Sequence, residues 1–509
     1  MKRLFSIRFL LALLIAAVVS LPAYAEKVYN TDIAIIGAGA TGLSAGVQAS
    51  LLGAKVIVIE KQAIPGGTSN FAEGLFAAES SLQMRQGIDV SKEFAFKTIM
   101  DYSHWRANGP LVSAFVNKSA ETIEWLKKFG IQYEYIGVGG FGGPLTWHVV
   151  GDYLGEDGKH YHHGAAVVQA LTKALKDNGG QLLLQTPGKS LIIKNGKVAG
   201  VVAEDKDGEK VIINSKAVVI GTGGFANNKE MMKQFSRYPD MIFIGQIGKM
   251  GDGIQMAWAA GADKEGVEVM QSYRPGLAGF HPASHLIAAA VQPYLFVDPQ
   301  GHRYTDESNI TEWPQSGNAL ERIGGTAYSI YDETTKQMFI NEGIQMPLGE
   351  WVIFGTKLTK LEADFEKELG KHNGNVFKCN TIEEVAEKIG ADPAVLKATV
   401  ERNNKAAEMH KDELFHKKAD YLRSVKTAPF YVTKLHPRAL GTLGGIKINE
   451  KTEVLNTKGA VIPGLYAGGL DAGGMYGDSY DLKLGGGTFG FAINSGRIAG
   501  ENAVMFISK

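Results

Sequence analysis

The chain has 509 residues, with 53 basic and 53 acidic side chains, 63 glycines and one cysteine. This length suits about two to four domains, and the balanced charge gives no electrostatic reason to expect a nucleic acid or an anionic membrane as a partner. Because Cys379 is the single cysteine, a disulfide within the chain, an iron–sulfur cluster and a thiolate zinc site are excluded, so any redox chemistry must use a bound organic cofactor.

The first 25 residues have the pattern of a secretory signal peptide. Basic residues open the segment, an apolar run covers residues 9–19, and Ala23-Tyr24-Ala25 places small side chains two apart. The apolar run is too short to span a bilayer, so we expect cleavage after Ala25 and export to the periplasm or beyond. Of the 509 residues, the remaining 484 carry 50 basic and 53 acidic side chains, a net charge of −3.

A βαβ unit is predicted next. Residues 32–36 form a short apolar run, a helical pattern continues to Leu52, and residues 55–60 give a second apolar run. Two buried runs separated by a helix indicate parallel strands joined by a crossover.

A glycine fingerprint stands at the turn between the first strand and this helix. Gly37, Gly39 and Gly42 match the G-x-G-x-x-G pattern, which brings backbone N–H groups and a helix N-terminus against a pyrophosphate. Glu60 ends the next strand, where a carboxylate can accept hydrogen bonds from a ribose diol. Strand, glycines, helix and acid agree, and together they predict a dinucleotide site.

Further elements follow in chain order. Periodicity predicts helices over residues 112–129 and 164–178 and strands over 181–184, 190–193, 198–203 and 217–220. Residues 266–434 lack glycine-rich strand ends and contain helical patterns at 381–411, so we interpret them as an inserted α+β domain. The prediction is an α/β fold, in which a Rossmann-like domain formed by residues 26–265 and 435–509 carries a cap of residues 266–434.

The glycine-rich motifs resemble those of the flavoprotein subunits of fumarate reductase and succinate dehydrogenase. Five separated stretches occur in that family's order: Pro65-Gly66-Gly67-Thr68-Ser69, Ala72-Glu73-Gly74, Gly221-Thr222-Gly223-Gly224, Gly251-Asp252-Gly253, and a C-terminal segment with Ile462-Pro463-Gly464 and Leu484-Gly485-Gly486. The resemblance covers nearly the whole chain after the signal peptide. It implies that the dinucleotide is FAD and that residues 266–434 form the substrate cap.

The fingerprint and the resemblance together assign a set of residues to FAD: Gly37, Gly39, Thr41, Gly42, Glu60, Lys61, Gly67, Thr68, Ser69, Gly74, Gly223, Asp252, Asp471, Leu484 and Thr488. By resemblance, the final helix would aim its N-terminus at the flavin pyrimidine, where its dipole stabilises negative charge. The family's glutamate is replaced by Leu470, and whether Asp471 substitutes for it stays open. Covalent attachment in the family uses a histidine near Thr68. Because residues 61–101 contain none, we expect non-covalent FAD.

The substrate site departs from the family pattern. Fumarate reductases of this type transfer a hydride from flavin N5, take a proton from an arginine, and clamp two carboxylates with histidines, a Thr-Glu pair and a second arginine. Counting from a landmark at residues 296–307 puts the proton-donating arginine near Thr311, the Thr-Glu pair near Leu286-Ile287 and the first histidine near Arg274. The second histidine falls near Gly441, before Thr442-Leu443-Gly444-Gly445, and the second arginine is Lys483, before Leu484-Gly485-Gly486. Every polar position is changed, so we expect a substrate other than a C4 dicarboxylate, less charged and larger or aromatic.

Five side chains are candidates for the replaced chemistry: Tyr476, Tyr480, Lys483, Arg274 and Arg438. A tyrosine or lysine can donate a proton or polarise a carbonyl. The related 3-ketosteroid dehydrogenases use tyrosines near the flavin in this way. His160-Tyr161-His162-His163 is also histidine-rich, but no carboxylate or cysteine with ligand spacing follows, so we predict no metal site.

The sequence therefore predicts an exported FAD-dependent enzyme that reduces the C=C bond of an α,β-unsaturated carbonyl or carboxylate. An exported flavoprotein without its own haem needs an external electron donor, for which we expect a c-type cytochrome or a quinol-linked membrane protein. Two alternatives stay open. One is a 3-ketosteroid-type dehydrogenase, and the other is a true fumarate reductase, if the alignment of the cap is displaced.

Overall fold

A computed structural model describes residues 26–139, 142–238, 240–281, 283–348 and 352–509. The predicted signal peptide lies outside these residues. Within the described ranges, no helix is both long enough and apolar enough to cross a bilayer.

The strands are, in chain order, β1 (Lys27–Asn30), β2 (Ile33–Ile36), β3 (Val56–Ile59), β4 (Gly74–Phe76), β5 (Tyr133–Val138), β6 (Leu145–Val150), β7 (Asp152–Leu154), β8 (His160–His162), β9 (Gln181–Leu183), β10 (Gly188–Lys194), β11 (Lys197–Glu204), β12 (Lys210–Asn214), β13 (Ala217–Ile220), β14 (Ile242–Phe243), β15 (Lys264–Glu265), β16 (Met270–Gly276), β17 (Phe296–Val297), β18 (Ala327–Tyr331), β19 (Val376–Cys379), β20 (Phe430–Thr442), β21 (Gly445–Ile446), β22 (Glu453–Leu455) and β23 (Val461–Ala467).

The α-helices are α1 (Ala40–Leu51), α2 (Ser81–Arg85), α3 (Lys92–Tyr102), α4 (Gly109–Lys127), α5 (His163–Asp177), α6 (Lys229–Phe235), α7 (Asp252–Ala259), α8 (His285–Ala290), α9 (Trp313–Arg322), α10 (Glu333–Asn341), α11 (Leu361–Leu369), α12 (Ile382–Ile389), α13 (Pro393–Met409) and α14 (Gly487–Ile507). The helix predicted from residue 112 begins earlier, at Gly109, because Asn108 caps it by accepting a hydrogen bond from the Leu111 N–H.

A doubly covered sheet forms the base of the molecule, in the order β22-β23-β13-β2-β3-β9. The pairs β2–β3, β2–β13, β13–β23 and β3–β9 are parallel, and the strands β2, β3 and β13 are buried along their whole length. This burial explains their continuous apolar sequence. The carboxyl ends of these strands meet at one edge of the sheet. The observed architecture confirms the predicted α/β fold class.

The first and last helices pack directly against each other beneath this edge. A Cβ on Gly496 of α14 would lie 2.2 Å from the carbonyl oxygen of Thr41 in α1, so only glycine permits this approach. The contact joins two parts of the chain that are far apart in sequence. It therefore brings the C-terminal glycine segment to the fingerprint turn.

The cap is built around the long strand β20, which pairs with β14, β16, β18 and β19. Two apolar clusters fill the cap, and their buried residues all fall within 277–435. Strand β20 runs across the position at which the sequence places the end of the cap, residue 434, and joins the two parts of the molecule. The exact domain limits stay a prediction.

Candidate active site

A cleft of about 890 Å³, part of it open to solvent, lies beside the fingerprint turn. Its lining comes from the first turn of α1, the end of β3, the loop at residues 66–69 and the turn after β13. Ten of the residues predicted to bind FAD line it: Gly37, Gly39, Thr41, Glu60, Lys61, Gly67, Thr68, Ser69, Gly223 and Asp252.

Glycines give this cleft a wall of bare backbone. Gly37 has φ +99°, and a Cβ there would lie 2.3 Å from the carbonyl oxygen of Gly221, so a larger residue would break the turn. Gly223, at φ +89°, faces open space instead. Backbone N–H groups can therefore approach a ligand closely, and the cradle fits the diphosphate of a dinucleotide.

Charged side chains fix the two sides of the cleft. The Glu60 carboxylate accepts hydrogen bonds from the N–H groups of Ala38 and Gln62, each at 2.8 Å. It thus ties the fingerprint turn to the end of β3, with the carboxylate at the cleft. Opposite, Lys61 Nζ lies 2.6 Å from an Asp252 carboxylate oxygen. Asp252 also begins helix α7.

Asp471 is buried behind the cleft lining and not at the surface that a cofactor would contact. Its carboxylate is fully buried and accepts hydrogen bonds from the N–H groups of Thr222, Gly223 and Gly224 and from the Thr222 hydroxyl. Burial raises the pKa of this carboxyl, and these hydrogen bonds oppose the rise. Asp471 does not line the cleft. It positions the glycine turn that does.

Two other predicted glycines serve close packing of the backbone rather than the cleft lining. A Cβ on Gly42 would lie 1.8 Å from the carbonyl oxygen of Gly37, and one on Gly74 would lie 2.4 Å from that of His148. Neither residue lines the cleft. Both positions require glycine to bring the surrounding elements together.

The start of α14 forms a second group of predicted residues. A Cβ on Gly486 would lie 2.4 Å from the Leu75 carbonyl carbon in β4, and the Phe76 N–H donates to the Gly486 carbonyl. Leu484 is buried next to this contact. The Thr488 hydroxyl accepts a hydrogen bond of 3.1 Å from the Gln271 amide. Strand β16 of the cap therefore reaches the N-terminus of the final helix.

Two candidate tyrosines pack beside this terminus. Tyr480 is buried, and its hydroxyl interacts with the side chains of Gln271 and Thr488. Burial raises the pKa of Tyr480 to about 12, so its hydroxyl holds its proton at neutral pH. The ring of Tyr476 lies 5.7 Å from that of Tyr480. The buried Tyr476 hydroxyl has no hydrogen-bond partner in the part of the chain that the structure describes.

The two candidate arginines lie on the cap side, around an aromatic pair. Tyr273 and Trp313 have ring centroids 4.3 Å apart. The guanidinium of Arg274 lies over both rings, and that of Arg438 lies 5.3 Å from the Tyr273 centroid. The helix that begins at Trp313, α9, also contacts the segment of the candidate tyrosines, because the Asn318 amide donates a hydrogen bond of 3.1 Å to the hydroxyl of Ser479, next to Tyr480. The arginines and tyrosines thus share one region.

Among the residues that the structure describes, no carboxylate forms an ion pair with either guanidinium. Arg274 donates to the Tyr273 hydroxyl at 2.6 Å and to the Leu348 carbonyl at 2.9 Å, and Arg438 Nε donates to the Arg274 carbonyl. Both terminal nitrogens of Arg438 are buried without a partner among the described residues. Burial lowers the pKa of Arg438 to about 10. The nearby Tyr273 opposes this decrease, and the positive charge of Arg274 adds to it. An anionic or phenolic ligand group would satisfy these donors.

The other positions that the family pattern assigns to catalysis or to the carboxylate clamp hold side chains that are not suited to either role. Lys483 is exposed, unlike the other four catalytic candidates. Leu286 and Ile287 are fully buried in the apolar core of the cap, where they replace the Thr-Glu pair that the family pattern requires. The Thr311 hydroxyl donates to the Ser308 carbonyl. Leu286, Ile287 and Thr311 therefore supply no carboxylate clamp.

The histidine-rich segment lies on a hairpin away from the cleft. His160 and His162 of β8 both contact the carboxylate of Asp152 across the pairing with β7. Among the described residues, no group of three or more histidine, cysteine or acidic side chains is arranged to hold a metal ion.

A family model described as an FAD binding domain matches residues 32–486. The chain belongs to this family of FAD-binding flavoproteins. Its relatives include the vinyl phenol reductase of Lactiplantibacillus plantarum, which is 35% identical over 93% of this chain and 96% of that protein. The NADH:acrylate oxidoreductase of Vibrio harveyi is 27% identical over 93% of this chain, which spans 50% of that protein. Both confirm an FAD-dependent oxidoreductase acting on CH–CH bonds.

A solved structure shows the same architecture. The open conformation of a flavocytochrome c3 fumarate reductase matches with a TM-score of 0.69 and 25% identity, over 94% of this chain and 79% of that chain. The match confirms the predicted resemblance to fumarate reductase flavoproteins. The glycine backbone and the Glu60 carboxylate at the cleft fit FAD, the cofactor that this family binds.

Sequence reasoning missed four side chains of the site: Lys249, Gln271, Tyr273 and Trp313. Lys249 lines the cleft, and it stands two residues before the Gly251-Asp252-Gly253 motif, so extending that motif would have found it. Gln271 and Tyr273 flank Ser272 in β16, next to the candidate Arg274. Trp313 comes from α9 and carries no local signal.

Replacing Glu60 by alanine is expected to weaken FAD retention. The change removes a carboxylate at the cleft that also orders the fingerprint turn, and each charge-assisted hydrogen bond contributes about 1.5 to 3 kcal/mol. Flavin occupancy after dialysis measures the effect. Glu450, exposed in a turn, gives the control variant Glu450→Ala. Equal occupancy in both variants would contradict the assignment of Glu60.

Proposed function

We propose that this enzyme reduces the C=C bond of an aromatic alkene, a vinylphenol or an arylacrylate. The observation that carries the proposal is a cluster of aromatic side chains with two arginines that have no carboxylate partner among the described residues. The aromatic side chains are Tyr273, Trp313, Tyr476 and Tyr480, in the region where the family pattern places a dicarboxylate clamp. Aromatic walls suit an aryl ring, and buried guanidinium donors suit its phenolic oxygen or carboxylate. Similarity to a vinyl phenol reductase supports the same substrate class.

In this proposal FAD held in the cleft would, once reduced by an external electron donor, supply a hydride to one carbon of the alkene. The protein side supplies the proton and the orientation. Tyr480 is buried, protonated and in contact with Thr488 at the helix terminus, so its hydroxyl is placed to donate a proton to the second carbon. Arg274 and Arg438 hold the polar end of the substrate, while Tyr273 and Trp313 hold the ring and exclude water.

Anaerobic turnover with reduced viologen tests the proposal. The panel should contain 4-vinylphenol, hydroxycinnamates, acrylate, urocanate, fumarate and cyclic enones, each at the same concentration. We expect the aryl alkenes to give the highest kcat/KM. Highest activity on acrylate, urocanate or an enone would refute the aromatic assignment.

Fumarate is expected to be a poor substrate, about 10²-fold or more below the best aryl alkene in kcat/KM. Burying a dianion requires cations and donors for both carboxylates. Arg274 and Arg438 supply donors for one polar group, whereas Leu286, Ile287 and Gly441, at other clamp positions, offer none. The comparison needs fumarate and an aryl monocarboxylate in the same assay. Comparable kcat/KM values would support the alternative of a true fumarate reductase, with a displaced alignment of the cap.

The second candidate function reverses the electron flow. A 3-ketosteroid-type dehydrogenase would use Tyr476 and Tyr480 to polarise a ring ketone, and the unpartnered Tyr476 hydroxyl favours this use. Oxidation of 3-ketosteroids with a dye acceptor tests it. Dye-linked steroid oxidation without viologen-linked alkene reduction would replace the first proposal by the second.

Export and an external electron donor complete the proposal. The composition of residues 1–25 supports a cleavable signal peptide, and export to the periplasm would separate the enzyme from cytoplasmic NADH. A c-type cytochrome or a quinol-linked membrane protein would then reduce the flavin. Cell fractionation with N-terminal sequencing of the mature protein tests this part, with Glu26 expected as the first residue.

The FAD is expected to be non-covalent, because residues 61–101 contain no histidine for attachment. Acid precipitation of the purified yellow protein should release the flavin into the supernatant. Absorbance of the supernatant and the pellet measures the partition. Flavin that stays with the precipitate would disprove the prediction.

A further inference from the structure

A buried lysine stands in the FAD cleft without a counterion. Lys249 lines the cleft and is 6% exposed. Its Nζ donates one hydrogen bond of 2.7 Å, to the Leu440 carbonyl of β20. Among the described residues, no carboxylate forms an ion pair with it. An ammonium has three donors, so this one has donors to spare inside a ligand cleft.

The absence of a side chain at Gly441 leaves space for this ammonium. A Cβ on Gly441 would lie 3.2 Å from Lys249 Nζ and 3.9 Å from Oε1, the side-chain amide oxygen of Gln271. The lysine therefore fills space that a side chain at residue 441 would occupy. Gln271 in turn bonds to Thr488 in the first turn of α14. Lys249 and the N-terminus of the final helix thus lie on either side of Gln271, next to the end of the cleft at Leu470.

Two features that favour negative charge meet at this end. The N-terminus of α14 carries the positive end of the helix dipole, and Lys249 adds a full charge nearby. Burial lowers the pKa of Lys249 to about 8, so the side chain is mostly protonated at neutral pH. A buried, uncompensated ammonium is costly unless a ligand supplies the missing charge.

We propose that Lys249 is a cofactor-tuning residue, whose ammonium stabilises the negative charge that the flavin gains on reduction. The inference rests on FAD occupying the cleft, and it does not depend on which alkene the enzyme reduces. It predicts that the preference for reduced over oxidised FAD, expressed as the ratio of the two Kd values, is larger in the wild type than in a variant without the charge. The expected ratio is about tenfold, which for a two-electron couple equals about 30 mV.

Anaerobic potentiometry of the holoenzyme, without any substrate, tests this. Lys249→Met should lower the midpoint potential of the bound flavin by about 30 mV at pH 7, whereas Lys249→Arg should keep most of the wild-type potential because it keeps the charge. Lys233→Met is the matched control, since Lys233 is exposed on α6, and it should leave the potential unchanged.

An unchanged potential in Lys249→Met, or equal shifts in the methionine and arginine variants, would overturn the proposal. If Lys249→Met retains too little FAD, titration of the apoprotein with oxidised and with reduced FAD gives the same ratio from two Kd values. Because the potential is measured without an alkene, activity on an unexpected substrate would not contradict the role of Lys249. An unchanged potential in Lys249→Met would likewise not contradict the proposed substrate class.

Discussion

Turnover on the true substrate is expected to fall by about 10²-fold to 10⁴-fold in Tyr480→Phe, the usual range for one positioned acid or base. The change removes the hydroxyl that interacts with Gln271 and Thr488 but keeps the buried ring. Steady-state kcat with reduced viologen measures the loss. The rate of flavin reduction by viologen should not change, because that step does not use the substrate proton.

Lys483→Met is the matched test of the neighbouring candidate. Because Lys483 is exposed, we expect this variant to keep wild-type turnover, although the sequence alone gives the two residues equal standing. A large loss in Lys483→Met with normal activity in Tyr480→Phe would transfer the role to the lysine. If both variants keep full turnover, Arg274 or Arg438 becomes the better proton donor.

The cofactor side of the site could be predicted because its signals are local. The fingerprint glycines, Glu60 and the loop at residues 66–69 each lie within a short stretch whose spacing reflects one turn or one strand end. Ten predicted residues line the cleft. The role of Asp471 was not readable in this way, because its partners at residues 222–224 are about 250 positions away and meet it only in the folded sheet.

The cap side could not be predicted to the same depth. The pairing of β16 with β20 carries two register irregularities, and no sequence period reveals them. The neighbours of Gln271, Tyr273 and Arg438 therefore depend on tertiary packing. Counting from the landmark at residues 296–307 placed Leu286 and Ile287 at clamp positions. Their side chains, on helix α8, are instead buried in the apolar core of the cap.

The landmark itself has a structural role in this chain. Arg303 bonds to Glu307 through Nε at 2.8 Å and Nη2 at 2.7 Å, and it also contacts both carboxylate oxygens of Asp412. Lys417 Nζ lies 2.9 Å from Glu307. All four side chains are 3% exposed or less. This buried ionic cluster joins β17 to the loop after α13 and holds the cap together.

Glu307→Ala is therefore expected to destabilise the protein by about 3 to 5 kcal/mol, the usual cost of removing one partner from a buried ion pair. Arg303 would keep its ion pair with Asp412, whereas the Lys417 ammonium would lose the one carboxylate that the described residues place within ion-pair distance. Urea unfolding at pH 7 measures the change. Glu383→Ala removes an exposed carboxylate paired with Lys397 in the same cap, and it should cost at most about 1 kcal/mol. Equal losses would show that the cluster contributes no more than a surface pair.

The same cluster predicts a pH dependence with a definite sign. Burial opposes ionisation of Asp412, but the hydrogen bonds and charge of Arg303 outweigh this effect and lower the pKa of Asp412 to about 2, against an ordinary value of 3.8. A depressed pKa in the folded state stabilises the protein above the unfolded pKa, and this stabilisation is lost as the pH falls through the folded value. Asp412→Asn removes this titration.

The gap in unfolding free energy between wild type and Asp412→Asn should therefore be constant above about pH 5 and should narrow from about pH 4 to pH 2. Comparing the two proteins cancels the carboxylates that they share. A gap that stays constant down to pH 2 would mean that Asp412 titrates alike in the folded and unfolded chains. The ion pair with Arg303 would then contribute nothing to the acid stability of the cap.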